Sequence, residues 1–242
     1  MLERLELVKL APRRILDAGS GPPQRALLRR YPGAQAIALD FALQMLRAER
    51  SGRFSCFGWF QKRPLPVCAD LAALPLAADS IDLAWSNMAL HWIAEPLAAL
   101  RELHRVLAPE GLLMFSTLGP DTLKELRAAA GEPRVHAFVD MHDLGDMLVA
   151  CGFSAPVMDM ETLQIAYRGP DQLLDDLRRS GQTSARVDRP RGLAGRRFLQ
   201  GLRVSLGDAP RASFEIVYGH AWKVAPRAVE AAKTIRFQRR IS

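Results

Sequence analysis

The sequence lacks several features that would assign it to a special class of protein. Among its 242 residues, no apolar run approaches the roughly 20 residues of a membrane-spanning helix. The first residues, MLERLELVKLAPRR, lack the apolar core of a signal peptide. Three cysteines (Cys56, Cys68 and Cys151) fit neither a metal site nor a disulfide framework. These absences predict a cytoplasmic protein with reduced thiols and no membrane association.

The composition is that of a globular protein, but its charge is unevenly placed. Hydrophobic residues make up 49% of the chain and charged residues 24%, which suffices for one sizeable domain. Of the net charge of +7, a net +5 lies in residues 168–211, where ten arginines face five aspartates. The last third is therefore predicted to meet an acidic partner or substrate.

Short apolar runs alternate with helical patterns along most of the chain. Runs that end at Asp17, Asp40, Asp70 and Asn87 indicate four strands, and a fifth run spans 111–119. This alternation is typical of βαβ units. It predicts an α/β fold with a Rossmann-like, doubly wound and mostly parallel sheet. Two late strands, 155–167 and 212–224, bring the number to seven and are expected to pair antiparallel at the sheet edge.

The chain is predicted to form one domain over residues 1–225. Within it, the arginine-rich segment 168–211 is expected to be a helical insertion over the top of the sheet, and residues 226–242 a disordered basic tail. Residues 51–66 show no clean period and predict a loop. The predicted helices are 2–9, 23–30, 43–50, 95–111, 120–131, 141–153, 170–179 and 192–203.

The segment ILDAGSGPP (15–23) carries the first indication of a ligand. A turn with Gly19 and Gly21 after a strand lets a ligand approach the backbone closely, and the helix that follows directs N–H groups at it. Asp40 lies 19 positions after Gly21, at the end of the second strand, where a carboxylate can bind both hydroxyls of a ribose. This pattern by itself fits either a dinucleotide or an S-adenosyl ligand.

Two features favour the S-adenosyl ligand. The acid precedes the glycines in D-x-G-x-G, and the third glycine that a pyrophosphate needs is replaced by Pro22, Pro23 and Gln24. Asp17 is then a partner for the ammonium of the amino-acid part, while Asp70, followed by apolar Leu71, can accept from the adenine amine. Acids at three successive strand ends predict an adenosyl-binding site, because such sheets bind ligands beyond their carboxyl ends.

Several longer motifs resemble a known family. The segments ILDAGSGPP, ALDFALQML and CADLAALPLAADSIDLAWSNMALHW resemble class I S-adenosylmethionine-dependent methyltransferases. The segments SNMALHW, FSTLGPDTLKELR and YGHAWK resemble, more narrowly, the malonyl-acyl carrier protein O-methyltransferase family of biotin synthesis. The similarity extends over nearly the whole chain.

The resemblance implies a role for each matching position. The cofactor would be S-adenosyl-L-methionine, without a metal. The chain departs from the family in two places. Pro23 replaces a glycine that is usual in the turn. The helices that cover the cofactor before the first strand are matched only at their end, so either the start codon is misassigned or the pocket is more open. The implied cofactor residues are Asp17, Gly19 and Gly21 at the methionine part, Asp40 with Phe41 at the ribose, Asp70 and Leu71 at the adenine, and Ser86 and Asn87 at the fourth strand end.

The implied reaction methylates the free carboxylate of a malonyl thioester on an acidic carrier protein or coenzyme A. A carboxylate is already ionised at neutral pH, so we predict no catalytic base, only positioning. His91 beside Trp92 is interpreted as a wall residue. Arginines can grip a carboxylate bidentately. The predicted substrate-binding residues are Arg178, Arg179, Arg191, Arg196 and Arg197, with the carboxylate clamp at Arg196 or Arg191.

Three alternatives remain open from the sequence. A related complex I assembly factor, which hydroxylates a protein arginine, shares the DTL-x-ELR and late Y-x-x-x-W-K features. A catalytically idle adenosyl-binding scaffold is the second. A nucleic-acid methyltransferase is the third, but the basic stretch offers few aromatic side chains for base stacking. We expect a monomer.

Overall fold

The computed structural model describes residues 1–21, 25–48, 63–190, 192 and 194–225. Several predictions lie outside the described residues: the tail 226–242, most of the loop 51–66, the turn residue Pro23, Cys56 and the clamp candidate Arg191.

Seven strands form one sheet in the order β3-β2-β1-β4-β5-β7-β6. The pairs among β1 to β5 are parallel, whereas β7 is antiparallel to both of its neighbours. This arrangement confirms the predicted mostly parallel sheet with an antiparallel edge. The strands are β1 (Arg14–Ala18), β2 (Gln35–Asp40), β3 (Leu65–Cys68), β4 (Ile81–Asn87), β5 (Leu107–Leu118), β6 (Phe153–Ala166) and β7 (Arg211–Lys223).

The helices follow the predicted order with shifted ends. The N-terminal pattern is a 3₁₀ helix, Leu2–Leu7, and the predicted helix 95–111 stops at Val106 because Leu107 adopts an extended backbone. The predicted helix 192–203 instead spans 196–206 and ends before Gly207. The helices are α1 (Arg25–Arg30), α2 (Leu43–Ala48), α3 (Pro96–Val106), α4 (Lys124–Ala130), α5 (Met141–Ala150), α6 (Pro170–Arg179) and α7 (Arg196–Leu206).

The sheet is covered on both faces because successive strand residues point in opposite directions. Leu16 packs with Leu103 of α3 and Leu148 of α5 in one buried cluster. Ile15, the preceding residue, belongs to a second cluster with Leu5 of the N-terminal 3₁₀ helix. A fully buried leucine or isoleucine side chain contributes roughly 1.5–3 kcal/mol. The two clusters therefore fix the sheet between its helical layers.

The register of β7 determines where the arginine-rich insertion lies. Leu118, at the carboxyl end of β5, pairs with Ile216 in the first half of β7, and the two strands are antiparallel. Ala166, the last residue of β6, pairs with Arg211. The segment between β6 and β7 therefore starts and ends at the edge where the parallel strands end, which is the top of the sheet.

A third apolar cluster anchors this insertion. Leu173 and Leu177 of α6 pack with Leu123, at the start of α4, and with Tyr167 beyond β6. The two helices of the insertion are joined by an ion pair in which the guanidinium of Arg203 donates to Asp171 at 2.7 Å. The insertion is thus packed onto the top of the sheet through its own small core.

Candidate active site

A cavity of about 770 Å³ lies at the carboxyl ends of the parallel strands. This is where open parallel sheets bind ligands. Most of the cofactor residues predicted from the sequence line it. Asp17 and Ser86 do not, because both side chains are buried in the strands behind it, 6% and 0% exposed. The predicted residues in the lining are Gly19, Gly21, Asp40, Phe41, Asp70, Leu71 and Asn87.

The glycine turn after β1 has a backbone that requires glycine. Gly19 has φ +73° and Gly21 has φ +51°, in the left-handed region. A Cβ atom on Gly19 would lie 2.3 Å from the Cβ of Ala89, whereas one on Gly21 would have nothing within 4 Å. The N–H groups of Gly19 and Ser20 donate to the carbonyl of Leu39 at 2.8 and 2.9 Å, which ties the turn to β2.

Asp40 holds two turns together at the rim of the cavity. Its Oδ2 accepts from the N–H of Gly21 at 2.9 Å, and its Oδ1 accepts from the N–H of Ala42 at 2.8 Å. Each carboxylate oxygen has two lone pairs, so both oxygens can accept a further hydrogen bond from a ligand. Asp40 therefore caps the backbone ahead of α2 and still offers acceptors to the cavity.

The loop after β3 is fixed to α3 by an ion pair that the sequence reasoning missed. Oε2 of Glu102 accepts from the N–H of Leu74 at 2.7 Å, and Arg105 donates to the carbonyls of Leu74 and Leu76, each at 2.9 Å. The hydrogen bond from Arg105 lowers the pKa of Glu102. The Glu102–Arg105 ion pair therefore holds the loop that begins at Asp70. The sequence feature that could have predicted this ion pair is the spacing of Glu and Arg, three residues apart in RELHR.

The far wall of the cavity is the segment after β4, most of which was not predicted. Trp92, the neighbour of His91 in the sequence, lines the cavity. Met88 adopts a left-handed φ of +57°. The motif SNMALHW was the available signal, but it did not show which side chains face the cavity. The lining residues missed in this segment are Met88, Ala89, Ile93, Ala94 and Glu95.

His91 is buried behind this wall. It is 7% exposed, and its ring contacts the rings of Trp92 and Phe138. Burial, and to a smaller extent the neighbouring His136, lower the pKa of His91 to about 4. His91 is therefore neutral at pH 7, and its packing agrees with the interpretation as a wall residue.

We expect His91→Gln to retain most of the turnover. We also expect the free energy of unfolding of the variant to depend less on acidic pH than that of the parent. The folded-state pKa of about 4 lies below the ordinary value of about 6.5, so the unfolded chain binds more protons between these pH values. In the parent protein, the titration of His91 should therefore lower the free energy of unfolding by up to about 3 kcal/mol as the pH drops from about 6.5 to about 4. Above about pH 6.5, His91 should make no pH-dependent contribution.

Thermal unfolding at pH 7 and pH 4.5 measures this effect. The loss should be smaller for His91→Gln, while His104 and His220, whose pKa values are also lowered by burial, titrate in both proteins. A turnover loss of about 100-fold or more, the size expected for a missing general base, would contradict the assignment as a wall residue.

Four of the five arginines predicted to bind the substrate lie in the described part of the chain. All four are on the surface of the insertion and do not line the cavity. Arg178 is paired with Asp175 at 3.0 Å, and its side chain is 65% exposed. The structure does not bring these arginines together with the cofactor residues. The remaining exposed members are Arg179, Arg196 and Arg197.

A second, smaller recess of about 30 Å³ lies between α4 and the insertion. Arg134, which was not predicted, lines it and lies over the ring of Phe198 in α7, 3.9 Å from the ring centroid. His136 lines the same recess, and its ring contacts Trp92 at 5.6 Å between centroids. The recess is therefore separated from the main cavity by an aromatic layer.

Within the described segments, no group of three or more His, Cys, Asp or Glu side chains is arranged to hold a metal ion. No helix in the described part of the chain is long and apolar enough to cross a membrane.

The residues of the cavity fit S-adenosylmethionine. Gly19 and Gly21 line the cavity without a side chain, so a ligand can approach the backbone of the turn closely. Asp40 and Asp70 supply carboxylate acceptors at the ends of neighbouring strands for ribose hydroxyls and an exocyclic amine. The cavity also contains the apolar side chains of Leu71 and Ile93, which suit an adenine ring.

Comparisons with known proteins agree with this geometry. The family model described as "Methyltransferase domain" matches residues 16–115. The fold is similar to that of the YcgJ protein from Bacillus subtilis, with a TM-score of 0.66 and 16% identity over 92% of this chain and 97% of that one. The fold and site define an S-adenosylmethionine-dependent methyltransferase with a Rossmann-like sheet.

Curated relatives identify the family within this class of methyltransferases. The chain is 51% identical to the malonyl-[acyl-carrier protein] O-methyltransferase of Gallionella capsiferriformans, over 94% of this chain and 82% of the relative. It is 47% identical to the enzyme of that name from Methylovorus sp., over 100% of this chain and 86% of the relative. The chain belongs to the malonyl-[acyl-carrier protein] O-methyltransferase family, and it is an O-methyltransferase that uses S-adenosylmethionine.

Proposed function

We propose that the protein methylates the free carboxylate of a malonyl group carried by acyl carrier protein, as a step of biotin synthesis. The observation that carries this proposal is the cavity lined by Gly19, Asp40, Asp70 and Asn87, in a chain of this family.

Gly19, Gly21, Asp40 and Asp70 would hold the cofactor in this cavity. Once bound, the cofactor would supply an electrophilic methyl group on a positively charged sulfur, and a carboxylate oxygen of the acceptor would be the nucleophile. No proton is transferred, so no general base is needed. The protein has to align the two groups and exclude water. A neutral, buried His91 is consistent with this chemistry.

The cofactor residues are proposed with the roles that the motifs implied. Asp40, beside Phe41, binds the ribose hydroxyls, and Asp70 with Leu71 binds the adenine. Gly19 and Gly21 line the methionine part. Two residues are exceptions: Asp17, implied at the methionine part, and Ser86, implied at the fourth strand end, are buried behind the cavity, so we propose that they support this wall from their strands.

The arginine-rich insertion is proposed to meet the carrier protein. It carries a net charge of +5 at the top of the sheet, and acyl carrier proteins are acidic. We further propose one domain over residues 1–225, a basic tail after it, a cytoplasmic location and a monomer. The malonyl carboxylate clamp is assigned to Arg196 or Arg191.

Incubation with malonyl-acyl carrier protein and S-adenosylmethionine tests the function. We expect mass spectrometry to show a methyl ester on the malonyl group, and no product with acetyl-acyl carrier protein. A protein that binds the cofactor but forms no ester would contradict the proposal and favour an idle scaffold. Modification of a protein arginine in the same assay would favour the alternative suggested by the complex I assembly factor.

The same assay separates the roles of the arginines. Single changes of Arg178, Arg179 or Arg197 to Ala should raise the carrier-protein KM modestly, with an effect that shrinks at high salt because exposed charges are screened. Loss of the clamp, by Arg196→Ala or Arg191→Ala, should also lower activity toward malonyl-coenzyme A. If all five variants used both substrates like the parent, the insertion would have no role in binding.

A further inference from the structure

Asn87 and Ser116 form a hydrogen-bonded pair at the wall of the cavity. Asn87 is the last residue of β4 and lines the cavity, and Ser116 of β5 is its partner in the parallel register. The hydroxyl of Ser116, in a residue that is 1% exposed, lies 2.8 Å from Oδ1 of Asn87.

The direction of this hydrogen bond is fixed by the neighbouring groups. The N–H of Met88 points at Ser116, with its nitrogen 2.9 Å from the carbonyl oxygen and 3.2 Å from Oγ. A buried hydroxyl hydrogen needs an acceptor, and Oδ1 of Asn87 provides it. With the amide reversed, an NH₂ group would face a hydroxyl that is already an acceptor for Met88, and the hydroxyl hydrogen would lose its acceptor.

The two N–H donors of Asn87 Nδ2 are consequently left for another partner. Nδ2 makes no hydrogen bond to any residue in the described part of the chain. Asn87 is partly exposed, on the wall of the cavity. A pair of amide donors on a cavity wall matches an anionic or carbonyl oxygen of a ligand.

We infer that the Nδ2 group of Asn87 binds the carboxylate that is methylated, and that Ser116 is a positioning residue that fixes the amide in this orientation. This inference rests on the proposed function and names the group that holds the attacking oxygen of its acceptor; it replaces the cofactor role that the motifs implied for Asn87. The attacking oxygen loses its charge as it is methylated, so a neutral amide at that oxygen stabilises the starting state less than a cation there would. The proposed arginine clamp would hold the other oxygen.

The test compares Asn87→Asp, Ser116→Ala and Ser116→Thr with the parent. Asn87→Asp has the same shape and still accepts from Ser116, but it replaces the donors by a negative charge. We expect kcat/KM for malonyl-coenzyme A to fall by at least about 100-fold. The affinity for S-adenosylmethionine, measured by calorimetry, should not fall.

The serine variants test the positioning role. Ser116→Ala lets the amide rotate, so kcat/KM should fall roughly 10-fold, and Ser116→Thr, which restores a hydroxyl, should recover most of it. Thr117→Val, on the next residue of β5, removes a buried hydroxyl that lies 3.5 Å from Nδ1 of His91, and it serves as the control for the loss of a β5 hydroxyl away from Asn87. Thermal unfolding checks that each variant is folded.

Three outcomes would overturn the inference while leaving the proposed function in place. Activity of Asn87→Asp within about threefold of the parent would remove Asn87 as a donor to the substrate. An equal loss of S-adenosylmethionine affinity would assign the amide to the carboxylate of the cofactor. Unchanged kinetics in Ser116→Ala would remove the positioning role. Failure of the proposed function is distinct, because the parent itself would then form no ester.

Discussion

Replacing Asp40 by alanine is expected to weaken the binding of S-adenosylmethionine by about 1.5–3 kcal/mol, roughly 10- to 100-fold. In the proposed site, the variant would lose two hydrogen bonds from the ribose to a charged carboxylate. It also loses the acceptor of the Gly21 and Ala42 N–H groups, which hold the turns on either side of the ribose position. Titration calorimetry of the folded variant measures the change.

Asp82 offers a matched control for this prediction. Its Oδ2 accepts from the backbone N–H groups of Arg13 and Arg14 at 2.8 and 2.9 Å, at the opposite end of β1 from the cavity. Asp82→Ala therefore removes a carboxylate that also binds two backbone N–H groups, but it should leave the cofactor affinity unchanged. Unchanged affinity in Asp40→Ala, or an equal loss in Asp82→Ala, would contradict the assignment of Asp40.

Gly19→Ala is expected to be strongly destabilising and to abolish cofactor binding. A side chain at φ +73° costs roughly 1–2 kcal/mol. The new Cβ would also lie 2.3 Å from the Cβ of Ala89, so the segment after β4 has to move away, which adds about 1–3 kcal/mol. Thermal or urea unfolding gives the stability, and calorimetry gives the affinity.

Two variants isolate the steric part of this effect. Gly21→Ala has the same kind of backbone strain, at φ +51°, but its Cβ would meet nothing within 4 Å, so it should lose only about 1–2 kcal/mol of stability. The double variant Gly19→Ala/Ala89→Gly removes the overlap and should recover part of the loss. Equal stabilities for Gly19→Ala and Gly21→Ala would show that Ala89 does not restrict this turn.

The order of elements and the cofactor motif could be predicted because both depend on local sequence. Apolar runs that end at Asp17, Asp40 and Asn87 mark strands, since a buried parallel strand needs apolar side chains on both faces. Element ends were less certain: the helical pattern after Glu95 continues past Val106, whereas the chain itself enters β5 at Leu107. Pro109 and Gly111 disfavour a longer helix, and Leu107 already pairs with Ile81 of β4.

The class of sheet, the glycine turn and the acids at successive strand ends follow from the sequence, because spacing along a strand–turn–helix unit is a local property. Which residues share a wall of the cavity follows from the tertiary fold. The Glu102–Arg105 clamp on the loop after Asp70 and the pairing of Asn87 with Ser116 join residues 28 or more positions apart. Such contacts depend on sheet register and helix packing, which no periodicity in the sequence records.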